Sequence, residues 1–208
     1  MRGRAAAALA AWLGLGLASV PALAQETGVL RGKVVLGVEG VALAEMGPIV
    51  VYLEPREGDA PPPAVQPHRV LQKNAMFSPS FLAIVVGQTV DMRNDDAIYH
   101  NVFSFSKPND FDLGIYPSGT SRSVTFRHPG VVRTYCSIHD SMRGTIFVSP
   151  SPWFAKVDGG GRFAISDVPA GRHRVRTWCE RLPEVVTTVD VKPGRTTSVE
   201  LSLGRTGP

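Results

Sequence analysis

The stretch that decides the fold is Tyr135-Cys136-Ser137-Ile138-His139-Asp140-Ser141-Met142-Arg143-Gly144. It brings one thiol, one imidazole and one thioether together with the spacing Cys-x2-His-x2-Met. A second segment upstream, from Asn94 to Val102, supplies another imidazole at His100. Thiolate and thioether are soft ligands and imidazole suits several transition metals, so the two segments together predict a metal centre.

The candidate ligands are His100, Cys136, His139 and Met142. Two imidazoles and a thiolate, with a weak axial thioether, form the ligand set of a type 1 or blue copper site. We therefore expect one mononuclear copper site that alternates between Cu(I) and Cu(II). One alternative is a buried free cysteine beside an incidental histidine. Another is a zinc site, for which a thioether is a poor ligand.

These two segments resemble the cupredoxins, the plastocyanin and azurin group, over residues 66–150, and the short ligand loop is most similar to that of amicyanin. The resemblance implies a Greek-key β-sandwich over residues 68–150. It also implies a carrier that passes single electrons between transient redox-protein partners and is not an enzyme. Asn101 would tie the two ligand loops together by hydrogen bonds, although an ordinary strand asparagine is the alternative.

The same resemblance points to two candidate surfaces for electron transfer. One is a remote face marked by Tyr135, which could equally be a packing aromatic. The other is the edge of His139, which in cupredoxins reaches the surface inside an apolar patch. Here Ile138 lies beside His139 in the ligand loop. Ile98, Ile115 and Tyr116 would widen the patch, unless these three are core residues.

Outside the ligand segments, the sequence after residue 24 predicts an all-β protein. Short Val- and Ile-rich runs are separated by Gly and Pro, and no amphipathic helix of ordinary length appears. The run Asp158 to Gly171 resembles the carboxypeptidase regulatory-like β-sandwich. We expect a discontinuous domain over residues 25–58 and 151–205, a Pro-rich linker over residues 59–67 and the copper domain inserted between them. Ser106 to Gly119 is predicted to be a long loop.

Residues 1–24 have the features of a cleaved signal peptide: arginines at the start, an apolar run and Ala22-Leu23-Ala24 before Gln25. This predicts a periplasmic or secreted protein without a membrane span after cleavage. The near-neutral balance of charge then left gives no reason to expect a nucleic-acid partner. Two other functions stay open, a periplasmic copper-binding or chaperone protein and a cell-envelope binding module with an accessory copper domain.

The remaining cysteine and histidines are assigned no chemistry. Cys136 and Cys179 are the two cysteines of the chain, and a disulfide between them would consume the copper thiolate. Cys179 is therefore expected to be a free, buried thiol. The other histidines, His68, His128 and His173, lie in no ligand motif and are predicted to be surface residues.

Overall fold

The computed structural model describes residues 26–37, 40–57, 59 and 67–204. Over these ranges the chain is built of β-strands with one short 3-10 helix, which confirms the all-β prediction. The helix is Leu43–Met46 and the strands are β1 (Thr27–Leu36), β2 (Ile49–Leu53), β3 (His68–Lys73), β4 (Met76–Ser78), β5 (Phe81–Val85), β6 (Thr89–Asn94), β7 (His100–Ser104), β8 (Phe111–Tyr116), β9 (Ser121–Thr125), β10 (Gly130–Tyr135), β11 (Arg143–Ser149), β12 (Phe154–Lys156), β13 (Arg162–Pro169), β14 (Gly171–Cys179), β15 (Val186–Val191) and β16 (Thr196–Leu203). The proposed signal peptide and most of the proposed linker lie outside the described residues.

The strands form four sheets, which fall into two sets. Strands β3 to β11 form a five-stranded sheet, β5-β11-β10-β7-β8, and a four-stranded sheet, β4-β3-β6-β9. The strands on either side of this block form the sheets β13-β1-β16 and β12-β2-β14-β15. Each set encloses a buried apolar cluster of its own. We call the first set the inner sandwich and the second the outer sandwich.

Alternation of side chains explains why His173 is not on the surface. In β14, His173, Val175, Thr177 and Cys179 point inward, whereas the intervening residues are exposed or half-buried. His173 is 1% exposed and its Nε2 donates to the carbonyl of Pro169 at 2.6 Å, so the prediction of a surface residue is wrong. Burial disfavours the charged imidazole and lowers the pKa of His173 below its ordinary value.

The two other unassigned histidines lie closer to solvent. His128 is exposed, whereas His68 is half-buried and hydrogen-bonded to Gln88. Cys179 is a free, buried thiol whose Sγ donates to the carbonyl of Met46, so the prediction for this residue is confirmed.

An aromatic seam of Tyr52, Phe81, Phe147 and Trp178 joins the two sandwiches. The rings of Trp178 and Phe81 stack with centroids 5.7 Å apart and planes 7° from parallel. Phe147 of the inner sandwich lies between Trp178, at 5.3 Å, and Tyr52, at 5.4 Å. Such ring pairs add directional contacts to the apolar area that they bury, so the seam fixes the two sandwiches against each other.

The predicted loop Ser106–Gly119 contains an edge strand, β8, and that part of the prediction is wrong. Strand β8 pairs with β7 in antiparallel register, and Phe111 packs against the inner core. Gly114 has a φ of 63°, a left-handed conformation that glycine adopts without steric cost. The glycine interrupts the alternating pattern, which is why the segment does not resemble a strand in the sequence.

Candidate metal centre

The inner sandwich brings three of the four predicted ligands, His100, Cys136 and His139, together at one end of the five-stranded sheet. Strand β7 begins at His100, and β10 ends at Tyr135, immediately before Cys136. Because β7 and β10 are antiparallel neighbours, the start of one lies beside the end of the other. Strand β11 begins directly after Met142, so the loop that carries His139 is short and anchored on both sides.

The donor atoms of His100, Cys136 and His139 all lie within 4.8 Å of one another. The Sγ of Cys136 is 3.7 Å from the Nδ1 of His100, and the two imidazole rings have centroids 5.0 Å apart. Bonds from a first-row metal such as zinc to nitrogen and sulfur are about 2.0–2.3 Å long, so a separation of 3.7 Å suits two ligands of one ion. The arrangement is therefore compact enough to hold one metal ion.

Burial shows that this cluster is suited to a metal rather than to water. His100 is fully buried, and Cys136 and Met142 belong to the apolar core of the inner sandwich. The Nδ1 of His139 is also buried, and among the described residues it has no hydrogen-bond partner. A buried polar atom without a partner is costly, and a metal ion would satisfy it. The residues present therefore fit a copper ion, which prefers imidazole and sulfur donors.

Hydrogen bonds fix the loop from Cys136 to Met142 relative to β7. The Oδ1 of Asn101 accepts from the backbone N–H of Ser137 at 2.7 Å and from its hydroxyl at 3.0 Å. Asn101 follows His100, and Ser137 follows Cys136, so the pair links the two ligand segments. Within the loop, the N–H of Met142 donates to the carbonyl of His139 at 2.9 Å.

One residue at the site was missed by the sequence analysis. The carboxylate of Asp96 contacts the Nε2 of His100 at 2.7 Å. It also accepts from the backbone N–H groups of Asn74, at 2.5 Å, and Ala75, at 2.9 Å. Burial acts to raise the pKa of Asp96, but the hydrogen bonds from Ala75, His100 and Asn74 outweigh it and leave that pKa below its ordinary value. The available sequence signal was a carboxylate four residues before the histidine.

Of the four residues predicted to form an apolar patch with His139, three are exposed and one is not. Ile138, Ile98 and Ile115 are exposed, and Ile115 lies opposite Asn101 in the register of β7 and β8. Tyr116 is only 1% exposed, and its hydroxyl donates to the carbonyl of Met92 at 3.0 Å. Burial raises the pKa of Tyr116 to about 12. Tyr116 is therefore a core residue, and its assignment to an exposed docking face is wrong.

A second apolar surface lies on the Tyr135 side of the centre. Tyr135 and Phe103 have ring centroids 5.8 Å apart, and Phe105 packs against Phe103 at 5.2 Å while remaining exposed. These aromatics line an open cavity of about 500 Å³ that reaches Cys136 and Ser137. Tyr135 is half-buried, so it both packs and reaches the surface.

Two imidazoles and a buried thiol, with donor atoms within 4.8 Å of one another on a β-sandwich, define a candidate metal centre. Comparison with solved structures finds cupredoxins over about 40% of the chain. A purple cupredoxin from Nitrosopumilus maritimus is 28% identical, with 39% of this chain and 99% of that chain covered and a TM-score of 0.36. An amicyanin variant in the Cu(I) form is 25% identical, with 41% and 85% covered and a TM-score of 0.39. No family model and no curated protein matches the chain.

One further finding concerns the described residues alone. They include no helix of sufficient length and apolar character to span a membrane.

Proposed function

We propose that this chain binds one copper ion through His100, Cys136 and His139, with Met142 as a weak axial ligand, and carries single electrons between redox proteins. The observation that carries the proposal is the convergence of three donor atoms within 4.8 Å, one of them a buried, unpartnered imidazole nitrogen. When bound, copper supplies a reversible one-electron change between Cu(I) and Cu(II). The protein contributes the donors, their spacing and their shielding from water.

The ligands are held in place before the metal binds, as electron transfer requires. The buried positions of His100, Cys136 and Met142 leave little room for rearrangement. The hydrogen bonds from Ser137 to Asn101 fix the ligand loop to strand β7. A centre that changes little between two oxidation states exchanges electrons with a small reorganisation of the protein.

Electrons would leave and arrive through the edge of His139. His139 is partly exposed although its Nδ1 is buried, so the ring connects the interior of the site to the surface. Three exposed apolar side chains would extend this surface: Ile138, which precedes His139, Ile98, which lies two residues before His100, and Ile115, which lies opposite Asn101. A transient electron-transfer interface is small, below about 1,200 Å² in total, and an apolar patch of this kind suits such a contact. Tyr135 provides the alternative route.

A copper chaperone would be expected to expose several thioether or thiol groups. Met46, Met92 and Met142 are buried, and both cysteines are buried. Met76 is an exposed methionine, but it stands on β4, outside the ligand segments. This distribution favours the electron carrier over the chaperone.

For the remainder of the chain we propose the organisation that its sequence suggests. Residues 68–150 would form the copper domain, and residues 25–58 with 151–205 a carboxypeptidase regulatory-like domain. Residues 1–24 would direct export to the periplasm or the exterior. The grouping of strands into an inner and an outer sandwich supports the first part of this proposal.

The test is the visible spectrum of the copper-loaded mature protein. The wild type should be intensely blue, and Cys136→Ser should abolish the colour because the thiolate is lost. Cys179→Ser is the matched control, since it removes the other buried thiol, which lies in the outer core, and should leave the colour unchanged. A colourless copper-loaded wild type would refute the proposed site.

A further inference from the structure

We propose that Asp96 is a positioning residue that holds the His100 imidazole in the tautomer with its proton on Nε2. Its carboxylate also places a negative charge beside that nitrogen, which favours Cu(II) over Cu(I). This inference rests on the proposed copper function. Its starting point is the 2.7 Å contact between the Oδ2 of Asp96 and the Nε2 of His100, on the side of the ring away from Cys136.

The direction of this hydrogen bond follows from the other partners of the carboxylate. Asp96 accepts from two backbone N–H groups, those of Asn74 and Ala75. An ionised carboxylate accepts hydrogen bonds and donates none, so the proton of the third bond belongs to the Nε2 of His100. In a neutral imidazole the other nitrogen, Nδ1, then carries the free electron pair. That Nδ1 is the atom 3.7 Å from the Sγ of Cys136, where a metal ligand is needed.

The backbone around Asp96 is shaped to hold a carboxylate. Asn74 and Ala75 form the turn between β3 and β4, with φ values of 55° and 54°. Left-handed conformations are uncommon for residues other than glycine, and Ala75, unlike Asn74, has no polar side chain to compensate. Successive N–H groups in such a turn create a concave site for an anion. Here that site holds the Asp96 side chain.

Asp96 is also fixed from its own side of the chain. Its N–H donates to the Oδ1 of the buried Asn94 at 3.0 Å, and the amide of Asn94 donates to the carbonyls of Ile98 and Tyr116. The side chain of Asp96 is only 13% exposed. The carboxylate is therefore held at one place beside His100, partly shielded from water.

A carboxylate does more in this position than a neutral acceptor would. Carboxylate partners of ligating histidines orient the ring and make it a stronger donor. The extra negative charge stabilises Cu(II), which carries one more positive charge than Cu(I). An asparagine would still offer an oxygen to the Nε2 of His100 but would carry no charge, so Asp96→Asn separates orientation from charge.

The first measurement is the reduction potential of copper-loaded variants. Asp96→Asn should shift the ratio of Cu(I) to Cu(II) affinity about tenfold towards Cu(I), because the negative charge that it removes attracts the more positive ion more strongly. Tenfold for one electron corresponds to about 59 mV. Asp95→Asn is the matched control, because the neighbouring Asp95 pairs with Arg93 and contacts no ligand. Equal potentials in Asp96→Asn and the wild type, or equal shifts in both variants, would overturn the inference.

The second measurement needs neither copper nor a variant that folds. Nitrogen NMR of the metal-free wild type should show the neutral tautomer of His100 that carries its proton on Nε2. A proton on Nδ1 would overturn the inference. If the tautomer is as expected but the copper-loaded protein is colourless, the proposed function fails while the positioning of His100 by Asp96 stands.

Discussion

Asn101→Ala should lower the free energy of unfolding, because the Asn101 side chain accepts two hydrogen bonds that alanine cannot accept. The substitution removes the oxygen that accepts from the N–H and the hydroxyl of Ser137. Each such bond contributes about 1 kcal/mol net, so the free energy of unfolding should fall by about 2 kcal/mol. Ser137 is exposed, and water can replace the lost acceptor, so no further penalty for a buried donor is added. For a chain of this size, a loss of about 2 kcal/mol lowers the unfolding midpoint by about 4–8 °C.

A double-mutant cycle separates these hydrogen bonds from the packing lost with the Asn101 side chain. Ser137→Ala removes only the hydroxyl bond and should cost about 1 kcal/mol. The double variant should be no less stable than Asn101→Ala alone, which corresponds to a coupling of about 1 kcal/mol. The assay is differential scanning calorimetry of the metal-free proteins at one pH. Additive losses in the double variant would refute the hydrogen bond between the Ser137 hydroxyl and Asn101.

Three further predictions concern the axial ligand, the buried histidine and the docking surface. Met142→Leu should keep the blue colour and raise the reduction potential measured by voltammetry, because losing a weak donor destabilises Cu(II) more than Cu(I); loss of copper would show that Met142 is more than a tuning ligand. Burial lowers the pKa of folded His173, so the unfolded chain binds more protons, and stability should fall as the pH falls below about 6.5. In chemical unfolding, His173→Gln should remove that part of the pH dependence, whereas a substitution of the exposed His128 should retain it. An unchanged dependence of stability on pH in His173→Gln would contradict the role of the buried His173. Ile115→Lys should slow electron exchange with the native redox partner roughly tenfold, the effect of about 1.4 kcal/mol of lost contact, without altering the copper spectrum. Val186→Lys, an exposed apolar position in the outer sandwich, is its control, and equal rates in both variants would favour the route through Tyr135.

The candidate ligands were visible in the sequence because three of them lie within one short loop. Cys136, His139 and Met142 keep their order and spacing whatever the rest of the chain does. The strands that flank them were also predictable, because alternation of apolar residues is a local property. His100 was found because a ligand was missing and an imidazole stood in the upstream strand segment.

Features that depend on distant parts of the chain could not be predicted. The role of Asp96 requires the turn at Asn74 and Ala75, which meets it only in the folded sheet. Tyr116 is enclosed by the inner core, at the end of a strand whose alternation is interrupted by Gly114. His173 differs, because it shares the inward face of β14 with Val175 while the arginines on either side of it face outward, so its burial was visible in the alternation of the sequence.

The pairing of strand β1 has a consequence for the order in which the chain can fold during synthesis. Strand β1 is the first strand of the described residues, but both of its partners come late in the chain. It pairs with β13 in antiparallel register and with β16 in parallel register, where Val29 lies opposite Thr196. Both edges of β1 therefore stay unpaired until β13 and β16 have been synthesised. Strand β2 likewise stays unpaired until its partners, β12 and β14, have been synthesised. Unpaired apolar strands are templates for aggregation, so the newly made outer strands would depend on protection, whereas the inner strands meet their partners early.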